Sequence, residues 1–173
     1  MFGLQIINNF IIVIDKISDW VGKICSWSII LLTFLIVFEV ISRRVFNSPT
    51  IWTYEVITIV FGFHFMLVAA YALLHKSLVS VDLLYSRLSR KTQAIMDIFT
   101  YTIFFFPFVI FVFSVGFGNA LDSWSILETS SSLFGAPVYI TKTVVPLAFG
   151  LLLLQGISEL LKKVQILVEE AKA

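Results

Sequence analysis

Four apolar stretches, each at least as long as the ~20 residues a helix needs to cross a bilayer core, govern what this chain can fold into. They run approximately from Ile24 to Val45, Ile51 to Leu74, Ala94 to Leu121 and Pro137 to Leu161. Unpaired backbone N–H and C=O groups are too costly in hydrocarbon for any open structure, so such stretches must be helical. Composition agrees: 59% of residues are hydrophobic and 13% charged, against roughly 45–50% and 25% in soluble domains. The expected fold is an all-α membrane protein with four transmembrane helices in a single domain spanning residues 1–173. Pro137 suits a first helical turn, whereas Pro107 and Pro146 fall inside spans and are expected to bend them locally.

Two shorter patterns flank the spans. Ile6, Phe10, Val13, Ile17, Trp20 and Ile24 recur every three to four residues, with Asn9, Asp15, Lys16, Asp19 and Lys23 at other positions. Residues 1–23 therefore read as an amphipathic interfacial helix, lying on lipid or on a partner. Asp15, Lys16 and Asp19 also interrupt any secretory-signal pattern, so the first span is expected to be retained. Between spans two and three, Leu78, Val81, Leu84, Tyr85 and Leu88 predict a short cytoplasmic surface helix, with Arg87, Arg90 and Lys91 available for lipid phosphates. Residues 162–173 read as a cytoplasmic tail.

Orientation follows from the basic residues flanking the spans. Lys16, Lys23, Lys76, Arg87, Arg90, Lys91, Lys162, Lys163 and Lys172 share one side, against Arg43, Arg44 and Lys142 on the other. Nine against three places both termini in the cytoplasm, with the Asn47–Pro49 turn and the Asn119–Ala136 loop outside.

Ionisable side chains within spans are functional suspects because each costs roughly 2.5–3.5 kcal/mol at mid-helix. Glu39 lies one turn from Arg43, which fits an i,i+4 pair, or else a contact with another subunit. Glu55 opens span two beside Trp52 and Tyr54, where it anchors the helix start or pairs with Arg43 or Arg44 across the turn. His64 is the ionisable residue deepest in a span; it fits a neutral packing histidine, a proton relay, a metal ligand or a haem ligand. Its one histidine companion, His75, is eleven residues along the same helix, about 16 Å away and too far to share an iron with it. Asp82 falls in a polar junction after span two as a capping or solvated carboxylate and Lys142 lies just inside span four; with Glu39, Arg43, Arg44, Trp52, Glu55 and His64 they are the candidate subunit-contact or structural residues.

Several function classes drop out. A net charge of +1 without basic clustering excludes nucleic acid as a main partner. The single cysteine, Cys25, lacks the spaced partners of a metal site and reads as a packing residue. No nucleophile–base–orienter set or phosphate-binding loop is present, so an enzyme is not expected. Four spans without a paired repeat are also too little for a carrier acting alone. A membrane anchor for a redox complex and a membrane assembly factor remain as alternatives to a transporter subunit.

The ordered run Arg43-Arg44-Val45-Phe46-Asn47-Ser48-Pro49, Trp52-Thr53-Tyr54-Glu55, Ala70-Tyr71 and His75 to Asp82 resembles the DctQ small subunit of tripartite ATP-independent periplasmic transporters. Glu128-Thr129-Ser130, Pro137-Val138-Tyr139, Lys142, Pro146 and Leu154-Gln155-Gly156 are similar to the later half of that family. Ser80 departs from it, standing where many members have a second histidine. The resemblance implies a scaffold in a bacterial inner membrane, partnered by a large DctM-like membrane subunit and a periplasmic substrate-binding protein, with membrane lipids around it. It implies sodium-coupled uptake of a small organic acid, with sodium bound by the large subunit and no cofactor in this chain.

Overall fold

The computed structural model describes residues 2–77, 85 and 88–170. They form α1 (Phe2–Arg44), α2 (Thr53–Leu74), α3 (Arg90–Thr100), a π-helical turn (Tyr101–Phe105), α4 (Phe106–Ser125) and α5 (Val138–Glu170). Among the described residues, four segments are long and apolar enough to cross a membrane: Gln5–Arg44, Thr53–Leu74, Arg90–Ser125 and Val138–Val168. The spans alternate in direction, so both chain ends lie on one face of the bundle, the terminal side. The 45–52 and 126–137 connections lie on the other, the loop side.

The helix ends have local causes. Asn47 takes a left-handed conformation (φ 48°), and the Ser48 N–H returns to the Ser42 carbonyl at 3.0 Å, which closes α1 before Pro49. Span three begins at Arg90, earlier than apolarity alone indicates, because Ser89 caps it by accepting the Thr92 N–H at 3.2 Å. Inside span three, Pro107 has no N–H to give. The chain adapts with the π turn just before it, where the Phe106 N–H reaches the Tyr101 carbonyl. Pro137 stands one residue before α5, and Pro146 is carried within that helix.

Residues 2–23 are not set off as a separate interfacial helix. Neither proline nor a left-handed residue interrupts them, and α1 runs unbroken for 43 residues. At ~1.5 Å per residue that is about 65 Å, roughly twice the ~30 Å hydrocarbon core. The excess is on the terminal side, where it packs against the second half of α5. Lys162 to Glu170 accordingly continue that helix. The Ile6, Phe10, Val13, Ile17, Trp20 and Ile24 stripe is the outward face of α1. Ile11, Ile14, Ser18 and Gly22 form the inward one. Of the surface helix expected between spans two and three, Leu78, Val81 and Leu84 lie outside the described residues, as do Ser80, Asp82 and Arg87.

α5 touches every other helix and is the most buried span. Its contacts are made by small residues: Ala70 on α2, Ala94 on α3, Gly116, Ala120 and Ser123 on α4, and Ala148 and Ser158 on α5 itself are all buried. Large side chains such as Phe34, Phe65, Phe104 and Phe111 face outward. This inversion of a soluble core is what lipid dictates, since tails are as apolar as leucine and close backbone approach drives association instead.

Candidate functional site

Among the described residues, polar contacts between helices gather into two layers, one at each end of the bundle, with one isolated contact between them.

The loop-side layer starts from Glu39. Its Oε1 accepts from Arg43 Nη2 at 2.8 Å and its Oε2 from the Thr50 hydroxyl at 2.5 Å. Thr50 also meets the buried Thr53 hydroxyl, so Glu39 ties the end of α1 to the start of α2. Trp52, just before α2, stacks on Phe38 of α1 with ring centroids 6.1 Å apart. Arg44 is exposed and makes no ion pair among the described residues.

Glu55 turns away from both arginines. Its Oε2 accepts the Ala136 N–H at 3.0 Å and its Oε1 the Ser130 hydroxyl at 3.4 Å, so it pins the long connection between α4 and α5. The same connection is braced by Glu128, whose Oε2 accepts from Lys142 Nζ (2.5 Å) and the Ser123 hydroxyl (2.6 Å). The Glu128 carbonyl takes the Val138 N–H at 2.9 Å. Lys142 beside it, with Ser123, holds the Glu128 carboxyl below its ordinary value. A carboxylate whose folded pKa is lowered adds stability that is complete above its unfolded value of ~4.3 and disappears as pH falls through the folded one. The thermal midpoint of the wild type should therefore exceed that of Glu128→Gln at pH 7, and the gap should close on acidification below about pH 4. A gap unchanged down to pH 3 would show that Lys142 does not act through the ionised carboxylate.

Midway through the bundle, His64 Nδ1 lies 2.9 Å from the Ser28 hydroxyl and 2.9 Å from the Cys25 carbonyl. The Ser28 hydroxyl itself donates to that carbonyl at 2.5 Å. A protonated Nδ1 donates to the carbonyl oxygen, which can only accept; in the other tautomer Nδ1 accepts the one Ser28 hydroxyl proton, which then leaves that carbonyl. Either way His64 binds α2 to α1. His75 is directed elsewhere, with Nε2 3.2 Å from Asp19, which also takes Lys23 at 2.6 Å.

The terminal-side layer holds residues that the sequence reading did not single out as a group. Asp15 Oδ1 accepts from Gln155 Nε2 (3.0 Å) and the Ser158 hydroxyl (2.8 Å), while Lys162 Nζ sits 2.8 Å from its Oδ2. Lys162 also reaches the buried Glu159 at 2.6 Å. Gln155 and Ser158 are fully buried, and Gln155 Oε1 has no partner among the described residues. Nearby, Asp97 receives Lys163 (2.5 Å) and the Tyr85 hydroxyl (2.6 Å). The signal was the spacing: Gln155, Ser158, Glu159 and Lys162 occupy one face of a helix, opposite a buried α1 stripe that contains Ser18 and Gly22. Asp82 lies outside the described residues. No group of three or more metal-ligating side chains occurs among those described.

A family model described as the DctQ component of tripartite ATP-independent periplasmic transporters matches residues 32–166. The chain belongs to the DctQ family. A DctQ protein is a multi-pass component of such a transporter, and its family is not one of enzymes. The match takes in Glu39, Glu55, His64, Glu128, Lys142 and the α5 half of the terminal-side layer, but begins after Asp15. A search of curated proteins gives no match to the chain.

Proposed function

We propose that this DctQ protein is the membrane scaffold of its transporter, holding a large DctM-like subunit in place while that subunit carries sodium and a small organic acid. The observation that carries this reading is the pairing of polar groups. Glu39, Glu55, Glu128, Asp15, Glu159, Asp97 and His64 are all engaged with neighbours in the same chain. Such groups brace helices; they are poorly placed to bind and release a solute.

Between their polar ends, the outward faces of α1 and α4 carry exposed apolar side chains such as Ile30, Phe34, Val37, Phe108 and Phe111, and suit lipid or another membrane helix. The nine-to-three bias of Lys and Arg supports a bacterial inner-membrane orientation with the terminal side cytoplasmic. The pinned 126–137 connection then lies in the periplasm, within reach of a substrate-binding protein. Sodium sites and any cofactor are assigned to other subunits.

Uptake by proteoliposomes containing the large subunit and the binding protein tests the proposal. Adding this chain should raise sodium-driven uptake of labelled organic acids at least tenfold, and the chain should co-purify with the large subunit in mild detergent. Equal uptake with and without it, from the same amount of large subunit, would refute the scaffold role.

A further inference from the structure

Ile6, Val13, Trp20, Trp27, Phe34 and Ile41 recur every seven residues along α1, and all of them are exposed. The residue four positions after each, from Phe10 to Val45, is apolar and exposed as well. The two rows make one seam with the repeat of a coiled coil, and no polar side chain interrupts it over the whole helix. A strict seven-residue repeat drifts slowly round an α-helix, so the element that follows it is a second helix wound left-handed about the first.

Lipid covers only part of this seam. Asp19, Lys23 and His75 form a charged group where α2 ends. From Lys23 to Arg43, α1 rises ~30 Å, the thickness of the hydrocarbon core. Ile6, Phe10, Val13 and Ile17 therefore lie beyond that core, on a further ~25 Å of helix. Over this stretch α1 is held against α5 through Asn8 and Asp15, on the side turned away from the seam. An unbroken helix held in this way cannot lay its apolar rows on the bilayer surface. An apolar stripe that passes from lipid into water without a break marks a protein contact. The stripe is also large enough. Trp20, Trp27 and Phe34 are 67%, 72% and 70% exposed and offer roughly 300–500 Å² between them, and the rest of the seam carries the total past the ~800 Å² per partner of a stable interface.

A second copy of this chain does not fit. Copies share one orientation across the membrane, so their first helices could meet only in parallel. Lys16, exposed beside the seam between Val13 and Trp20, makes no ion pair among the described residues. In a parallel pair it would face Val21 of the other copy, with no carboxylate to meet it. We propose that the seam docks a long helix of the large membrane subunit. That helix continues out of the bilayer on the terminal side, carries its own seven-residue apolar repeat and sets a carboxylate beside Lys16. The assignment rests on the scaffold role proposed above and gives that role a surface.

The test uses the full chain co-expressed with its large subunit, with a photo-reactive phenylalanine at single positions. At Val13 and at Trp27 it should attach to the large subunit; at Ile12, equally exposed but off the seam, it should not. Val13→Gln with Ile17→Gln should lower the large subunit recovered with this chain roughly tenfold, because two half-exposed aliphatic groups together forfeit about one full burial. Ile12→Gln should leave recovery unchanged. Lys16→Glu should lower it about threefold, and Lys16→Arg should not. The thermal midpoint of the chain alone should stay at the wild-type value in every variant, since each altered side chain is exposed. Adducts to lipid alone at Val13, adducts to a second copy at Trp27, or undiminished recovery in the double variant would each overturn the assignment. If the large subunit is captured from Phe111 on α4 but not from the seam, this surface is wrong and the scaffold role stands. If it is captured from neither and does not co-purify, the scaffold role falls too.

Discussion

Gly22→Ala is expected to destabilise the protein by about 3 kcal/mol, at the upper end of the ~1–3 kcal/mol typical of overpacking. A Cβ at Gly22 would lie 2.3 Å from Tyr71 Cγ and 2.4 Å from Tyr71 Cβ. The second distance decides the size of the effect. No rotamer moves a Cβ, so α1 and α2 must separate along the contact that also carries the His64 bonds. The sign is diagnostic, because alanine in a helix interior ordinarily gains up to ~1 kcal/mol over glycine. Gly62 and Gly118 supply the control: a Cβ at either would have nothing within 4 Å. Gly62→Ala and Gly118→Ala should be neutral or stabilising, while Gly22→Ala lowers the thermal midpoint by about 10 °C, at ~2–4 °C per kcal/mol for a chain of this size. A midpoint for Gly22→Ala within a degree of the Gly62→Ala value would show that close approach at Gly22 does not hold these helices together.

The same physics explains what could be read from the sequence. Span number and approximate position were legible because lipid imposes a minimum apolar length that few soluble helices meet. Which face of each helix turns inward was not. On α1, the Ile6-Phe10-Val13-Ile17 stripe and the Ile7-Ile11-Ile14-Ser18 stripe are similar in apolarity and in spacing, yet the second is inside. In water the more apolar stripe is buried; in a membrane apolarity does not discriminate, and smallness does. Ser18 and Gly22 were therefore the informative residues.

Polar partners were legible only where they are local in sequence. The Glu39–Arg43 pair follows from i,i+4 spacing. Glu55 could be placed at a helix start, but its partners, Ser130 and Ala136, are 75 and 81 residues away, and nothing in the sequence specifies which loop returns to it. The boundary expected near Ile24 failed for a related reason: charges at Asp15, Asp19 and Lys23 marked a change of environment, and the helix continues through it because Lys23 pairs with Asp19 one turn away, Asp19 meets His75 just after α2 and Asp15 meets Lys162 on α5.

Asp15→Ala should be the most damaging change in the terminal-side layer, by about 2–4 kcal/mol. Its carboxylate is the acceptor for two fully buried donors, Gln155 Nε2 and the Ser158 hydroxyl, and an unsatisfied buried polar group costs ~1–3 kcal/mol. Lys162 suffers less, since Glu159 remains at 2.6 Å. Gln155 has little room to adapt, because its Oε1 is already buried without a partner among the described residues. Asp15→Asn keeps an acceptor for Ser158 but gives up the charge facing Lys162, so it should fall between wild type and alanine. The measurement is limited proteolysis at the N-terminal end of α1 together with the thermal midpoint. Alanine should expose that end while α2 to α5 stay protected, because the layer joins a part of α1 that precedes the family match to the α5 helix within it. Unaltered protease resistance in Asp15→Ala would mean that Ile11 and Ile14 alone seat the helix, leaving the buried polar cluster without a role in holding the long α1 against the bundle.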